Sequence, residues 1–201
     1  MSKVKICGLS RPEDIEAANS VLPDYIGFVF AESRRQIDEK KAKSLKGKLD
    51  GRIEAVGVFV NEDAEKVSKL YKNGTIDMVQ LHGDEDSEYI KQLKEDCGCR
   101  VIKSIPIGGS IPPIPKGSDY LLFDNLSAQR GGSGKTFDWH ILKGFDTMPY
   151  FLAGGLNSSN VWEAVRTLSP YCMDVSGGVE TGGVKDPAKI KEFVKLVREA
   201  D

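Results

Sequence analysis

Two side chains able to move protons close short apolar runs that lie far apart in the chain. A thiol, Cys7, ends Val4–Cys7, and a carboxyl, Asp124, ends Tyr120–Asp124. Such a pair suits proton shuffling on a sugar phosphate: one group takes a proton from carbon and the other gives one to oxygen. A cysteine ordinarily titrates at about 8.5, so a thiolate at neutral pH needs a cation beside it. Lys5 lies two residues before Cys7, on the same face of an extended run, and is the expected helper. A nucleophilic role for Cys7 is the rival, but no Cys–His partnership is visible. Further polar residues end other runs: His82 follows Asp77–Leu81, and Asp174 and Ser176 share one face of Cys172–Ser176.

Eight apolar runs carry these residues: Val4–Cys7, Tyr25–Phe30, Ile53–Val60, Asp77–Leu81, Arg100–Ile105, Tyr120–Asp124, Tyr150–Ala153 and Cys172–Ser176. Helical periodicity falls between them, over Pro12–Val21, Glu39–Leu49, Ala64–Tyr71, Ser87–Glu95, Asp138–Leu142, Asn160–Leu168 and Pro187–Ala200. Ser10 with Glu13 reads as a capping box, and Asn157 or Ser158 as the cap of the helix through Val161. Strands alternating with helices call for a parallel sheet with right-handed crossovers. Eight of them predict a single (β/α)8 barrel (TIM barrel) domain over residues 1–201, with an open doubly wound sheet as the alternative. Only the fifth connection breaks the rhythm. Gly108-Gly109-Ser110-Ile111-Pro112-Pro113-Ile114-Pro115 cannot sustain a helix, so an irregular loop replaces the fifth one.

The helix-facing side of a barrel strand should be apolar, which sends Val4 and Ile6 outward and Lys5 and Cys7 inward. The same reading places Gln80 and His82, Asp124, and Asp174 and Ser176 inside. Active sites of such barrels gather at the C-terminal mouth, so Cys7, His82, Asp124, Asp174 and Ser176 form the expected site. Glycine pairs follow the last two strands, Gly154-Gly155 and Gly177-Gly178, where bare N–H groups can cradle a phosphate. A third glycine cluster, Gly131-Gly132-Ser133-Gly134, ends like a nucleotide P-loop at Gly134-Lys135-Thr136. That motif needs a glycine where Gln129 stands, so a loop over the mouth across residues 125–136 reads better.

Composition narrows the partners. Lys and Arg number 28 against 30 Asp and Glu, a formal net charge of −2, which argues against a general nucleic-acid binder. No apolar stretch approaches a membrane span, and the N-terminus lacks a signal-peptide pattern, so a cytoplasmic protein is expected. Cys7, Cys97, Cys99 and Cys172 have no metal-ligand spacing and only His82 and His140 could add imidazole, so neither metal nor cofactor is expected.

The segments Lys5-Ile6-Cys7-Gly8-Leu9, Gly27-Phe28-Val29-Phe30, Val79-Gln80-Leu81-His82-Gly83, Gly131–Trp139, Ala153-Gly154-Gly155-Leu156-Asn157 and Asp174–Glu180 stand in order and in register with the deduced strands. Together they resemble phosphoribosylanthranilate isomerase, an enzyme of tryptophan biosynthesis, across residues 3–180. The resemblance implies an Amadori rearrangement of N-(5′-phosphoribosyl)anthranilate to 1-(2-carboxyphenylamino)-1-deoxyribulose 5-phosphate. It implies Cys7 as general base and Asp124 as general acid. In its Ser-x-Arg context it implies Arg35 for the substrate carboxylate, with Arg34 as the neighbouring alternative. Gly154, Gly155, Ser176 and Gly177 would hold the phosphate, and Lys5, His82 and Asp174 would support the site. The family commonly has a serine where Gly177 stands, so the resemblance implies a surviving backbone donor with a hydroxyl contact or some loop rigidity lost. A small-molecule substrate is implied, with the protein a monomer or homodimer. Another sugar-phosphate isomerase or epimerase barrel, or a binding protein on this scaffold, is the alternative. The paired aspartates of the histidine-pathway isomerase are missing, because Lys103-Ser104-Ile105 ends the fifth strand.

Overall fold

Each of the eight apolar runs forms a strand that pairs in parallel with the next, and the eighth closes onto the first. The computed structural model describes residues 1–126 and 136–200. The strands are β1 Lys3–Cys7, β2 Tyr25–Val29, β3 Glu54–Phe59, β4 Met78–Leu81, β5 Val101–Ile107, β6 Tyr120–Asn125, β7 Tyr150–Leu152 and β8 Cys172–Val175. The helices are α1 Pro12–Val21, α2 Glu39–Lys46, α3 Ala64–Lys72, α4 Ser87–Cys97, α5 Val161–Leu168 and α6 Pro187–Ala200. The barrel is closed, as the strand count predicts, and the open sheet is set aside. No helix forms between β5 and β6. The expected glycine cluster 131–134 and most of the loop over 125–136 lie outside the described residues. None of the described helices is long and apolar enough to cross a membrane.

Alternation sorts the strand side chains into two apolar layers. Val4, Ile6, Val79, Leu81, Leu121, Phe123, Met173 and Val175 join the cluster that packs beneath the helices. Tyr25, Val56, Met78, Ile102, Leu122, Phe151 and Cys172 pack as a second cluster within the ring of strands. Tyr25, Tyr120, Phe151 and Tyr171 stack against one another, with ring centroids 4.9–5.7 Å apart, and Lys3 lies over two of the rings. Aromatic packing therefore fills the N-terminal end of the barrel, and polar side chains are left for the opposite end.

Four local expectations are corrected. In α1, Arg11 occupies the N-cap and Asp14, not Glu13, reaches back, accepting from the Ser10 and Arg11 N–H groups at 2.9 and 3.0 Å. Pro12 takes the first helical position, which moves the reciprocal acid one residue onward. Asn160 is the N-cap of α5, and Asn157 instead turns the chain before it, accepting from the Ser159 N–H at 2.8 Å. The segment Asp138–Leu142 is a short 3-10 turn over Trp139–Leu142, capped by the Asp138 carboxylate. Strand β5 runs two residues past Ile105 despite Pro106. That proline lies beyond the last β4 pairing, Leu81↔Lys103, so its missing N–H breaks no bond on that side.

A further element was not anticipated. Strand β9 Glu180–Thr181 and strand β10 Val184–Lys185 form a small antiparallel hairpin between β8 and α6. Gly182 and Gly183 make its two-residue turn, with φ of 59° and 84°, the left-handed pair that such a tight hairpin requires. In this register Glu180 and Lys185 are direct cross-strand partners.

Candidate active site

Strand β1 delivers Lys5 and Cys7 to the interior, and strand β8 delivers Asp174 beside them, opposite Lys5 in the ladder. Lys5 Nζ donates to Asp174 Oδ2 at 2.9 Å, and Lys5 is fully buried. A lone charge at that depth costs about 3–5 kcal/mol, so each of these two groups requires the other. Burial opposes the ammonium, but Asp174 and Cys7 outweigh it and hold Lys5 above its ordinary range. Asp174 Oδ1 is buried too, and among the described residues it has no hydrogen-bond partner. It is a buried acceptor left unpaired beside the Lys5 ammonium.

Cys7 is half-buried at the end of β1. Burial pushes its thiol up, Lys5 and Lys185 pull it down, Asp174 pushes it up again, and the net shift is upward. Lys5 thus acts on Cys7 in the direction expected of a helper, without bringing the thiol below its ordinary range. The ammonium does favour the thiolate, but it is committed to Asp174 and burial wins. The thiol crosses the register partner Gly27, where an added Cβ would stand 2.7 Å from Cys7 Sγ. Gly27→Ala is expected to displace the sulfur and cut kcat by about 10-fold or more, since sub-ångström placement governs proton transfer. Steady-state kinetics beside a thermal melt would separate that loss from unfolding.

Asp124 occupies the penultimate position of β6, two strands away from β8 around the barrel. Burial pushes its carboxyl up to about 6, against the Asn125 N–H that donates to Oδ1 at 2.7 Å; Asp174 adds to the rise and Lys5 opposes it. A carboxyl at that value keeps a usable protonated share near neutrality. His82 Nε2 lies 3.6 Å from Asp124 Oδ2, and the other side of the ring meets Gln80 Nε2 at 3.0 Å. Cys7 and Asp124 thus stand on different sides of one mouth, and both feel the Lys5–Asp174 pair between them.

The glycine turns after β7 and β8 border the same space. Gly154 abuts Asp124, since a Cβ there would lie 3.0 Å from Oδ1. Ser176 spends its hydroxyl within the protein: Oγ donates to the Cys7 carbonyl at 3.0 Å and faces Lys185 Nζ at 3.4 Å. At Gly177 an added Cβ would meet only Arg35 Nη2, at 3.7 Å, so packing does not force the glycine. Arg35 reaches across from the loop after β2, its Cδ over Gly8. Its guanidinium pairs side-on with Glu180, Nε to Oε1 at 2.7 Å and Nη2 to Oε2 at 3.0 Å. Arg34 Nη2 joins the same carboxylate at 2.6 Å but is far more exposed.

Residue patterns and fold now suffice to place the chain among known proteins. A sequence profile for N-(5′phosphoribosyl)anthranilate (PRA) isomerase matches residues 4–196. The chain belongs to the PRA isomerase family. A PRA isomerase from Endomicrobium trichonymphae is 50% identical over 199 residues, covering 98% of this chain and 99% of that one. The crystal structure of the isomerase from Thermus thermophilus superposes with a TM-score of 0.88 at 31% identity, covering 99% of this chain and 100% of that one. Another PRA isomerase, crystallised with reduced 1-(o-carboxyphenylamino)-1-deoxyribulose 5-phosphate, superposes at 0.83 and 31% identity, covering 99% and 100%. This family member is accordingly an isomerase of tryptophan biosynthesis acting on N-(5′-phosphoribosyl)anthranilate.

Within the PRA isomerase mouth, sequence reasoning missed Glu180 and Lys185. Glu180 lies in the Asp174–Glu180 segment, but no chemistry was assigned to it. The available signal was Gly182-Gly183, a hairpin turn that brings residues 180 and 185 together.

Proposed function

We propose that Asp124 is the general acid and Cys7 the general base of the isomerisation. Asp124 gives its proton to the ribose ring oxygen as the bond from that oxygen to C1′ breaks. The anilino nitrogen lone pair closes onto C1′, leaving a protonated Schiff base. Cys7, as thiolate, takes the proton from C2′; that electron pair forms C1′=C2′ and the C=N π pair returns to nitrogen. The resulting enolamine moves its hydroxyl proton to C1′ and leaves the C2′ ketone of the product. The observation that carries this reading is the Asp124 carboxyl, raised by burial to about 6 at the mouth that also holds Cys7.

The remaining assignments follow the charges of the substrate. Arg35 takes the anthranilate carboxylate, a match of a planar cation to a planar anion. The backbone of Gly154, Gly155, Ser176 and Gly177 takes the phosphate. The engagement of the Ser176 hydroxyl with Cys7 supports a main-chain role for that residue. Lys5 and Asp174 hold each other and Lys5 tempers the thiol, while His82 borders Asp124, so these three support the site. All these residues come from one chain, so the reading holds for a monomer and for a homodimer. The protein is read as a single-domain cytoplasmic enzyme. Purified protein is expected to consume phosphoribosylanthranilate, followed as loss of its fluorescence; no turnover would overturn the reading.

A further inference from the structure

Three cations converge on one carboxylate at the lip between β8 and α6. Glu180 accepts from Arg34 and Arg35, as above, and from Lys185 Nζ at 2.7 Å. The Glu180 and Lys185 side chains are only 5% and 2% exposed, so this is an interior arrangement and not a solvated surface pair. Lys185 also donates to the Ser176 carbonyl at 2.9 Å, which ties the hairpin to the end of β8. Burial alone would push Glu180 up, but Arg35 and Lys185 outweigh it and hold it at about 2. The carboxylate is therefore ionised throughout the working range.

One negative charge among three positive ones leaves a surplus of two at this lip, in a chain whose formal net charge is −2. The surplus suits a ligand anionic at two places. The pairing with Arg35 is side-on, through Nε and Nη2, and among the described residues Nη1 has no partner. A guanidinium presents two edges that match a carboxylate, so one can be anchored while the other stays open. Without Glu180, Arg34, Arg35 and Lys185 would repel one another, and the arm carrying Arg35 would lose its register over Gly8.

We propose that Glu180 is a positioning residue for substrate recognition, anchoring one edge of Arg35 so that the other is preset for the anthranilate carboxylate. The inference rests on the assignment of that carboxylate to Arg35. Glu180 itself touches no reacting atom. It acts through Arg35, and the hairpin turn at Gly182-Gly183 fixes its own place.

The test is a double-mutant cycle on KM and kcat. Arg35→Ala is expected to raise KM at least about 30-fold, as for truncation of one partner of a buried charge pair. In the wild-type background Glu180→Gln is expected to raise KM about 10-fold and to leave kcat within about 3-fold. In the Arg35→Ala background the same change is expected to move KM by no more than about 2-fold, because the residue it positions is gone. Equal losses in both backgrounds would overturn the proposal and assign Glu180 to holding Lys185 or the fold. A normal KM for Glu180→Gln beside a raised one for Arg35→Ala would overturn the proposal alone. A normal KM for Arg35→Ala would remove the carboxylate assignment and the proposal with it. Should Glu180→Gln fail to fold, Glu180→Asp keeps the charge but shortens the reach, and a rise of about 3-fold in KM that vanishes in the Arg35→Ala background is expected.

Discussion

Asp124→Asn is expected to lower kcat/KM for phosphoribosylanthranilate by at least about 100-fold, the lower range of general acid contributions. The substitution is nearly isosteric, and the amide oxygen can still accept from the Asn125 N–H that now bonds Oδ1 at 2.7 Å. What disappears is the proton. Initial rates by fluorescence, with a thermal melt of each protein, would check the loss against folding. A variant retaining more than about a third of wild-type activity would remove Asp124 from the acid role.

Cys7→Ala is expected to cost at least about 100-fold as well, mainly in kcat, because the base acts on C2′ only once the ring has opened. The thiol fits this role with a complication that the fold imposes. Burial lifts it above its ordinary range although Lys5 and Lys185 pull it down. In the ligand-free protein most of it is therefore protonated at neutral pH, while most of Asp124, at about 6, is ionised. The productive form, acid protonated and base ionised, is then a minority. Its share rises with pH as the thiol ionises and falls as the carboxyl does, and between the two values these trends cancel. The profile of kcat/KM is expected to be flat from about 6 up to the thiol value, falling below and above. Iodoacetamide alkylation of Cys7 should accelerate with pH through neutrality and beyond, and a rate that levels off near 7 would contradict the raised thiol.

The barrel was readable because its signals are local and repeated. Apolar runs of period two, helices of period 3.6 and the breaker-rich stretch 108–115 each fix one element without reference to the others. The inward set at the mouth followed from alternation once β1 and β8 were in place, and Lys5 opposite Asp174 needs only that geometry. What the sequence does not encode is of two physical kinds. Caps were misplaced by one to three residues, since Pro12 and the Asn157 turn decide which side chain meets which N–H. The direction of the Cys7 shift, and the hub at Glu180, arise from balances among charges distant in sequence. Lys5 favours a thiolate, but only the depth of burial decides whether it prevails. Glu180 meets Arg35 from 145 positions away, a contact that no periodicity encodes.

The proton inventory of the mouth is tested most directly by the pH dependence of kcat/KM in the wild type and Asp124→Asn side by side. The wild type is expected to lose activity below a break at about 6, the value of the buried carboxyl. In the variant that break should vanish and the residual rate should climb steadily with pH until Cys7 is ionised. The same break at about 6 in the variant would contradict the account and hand the low-pH limb to another group of the mouth, such as His82, 3.6 Å from Asp124.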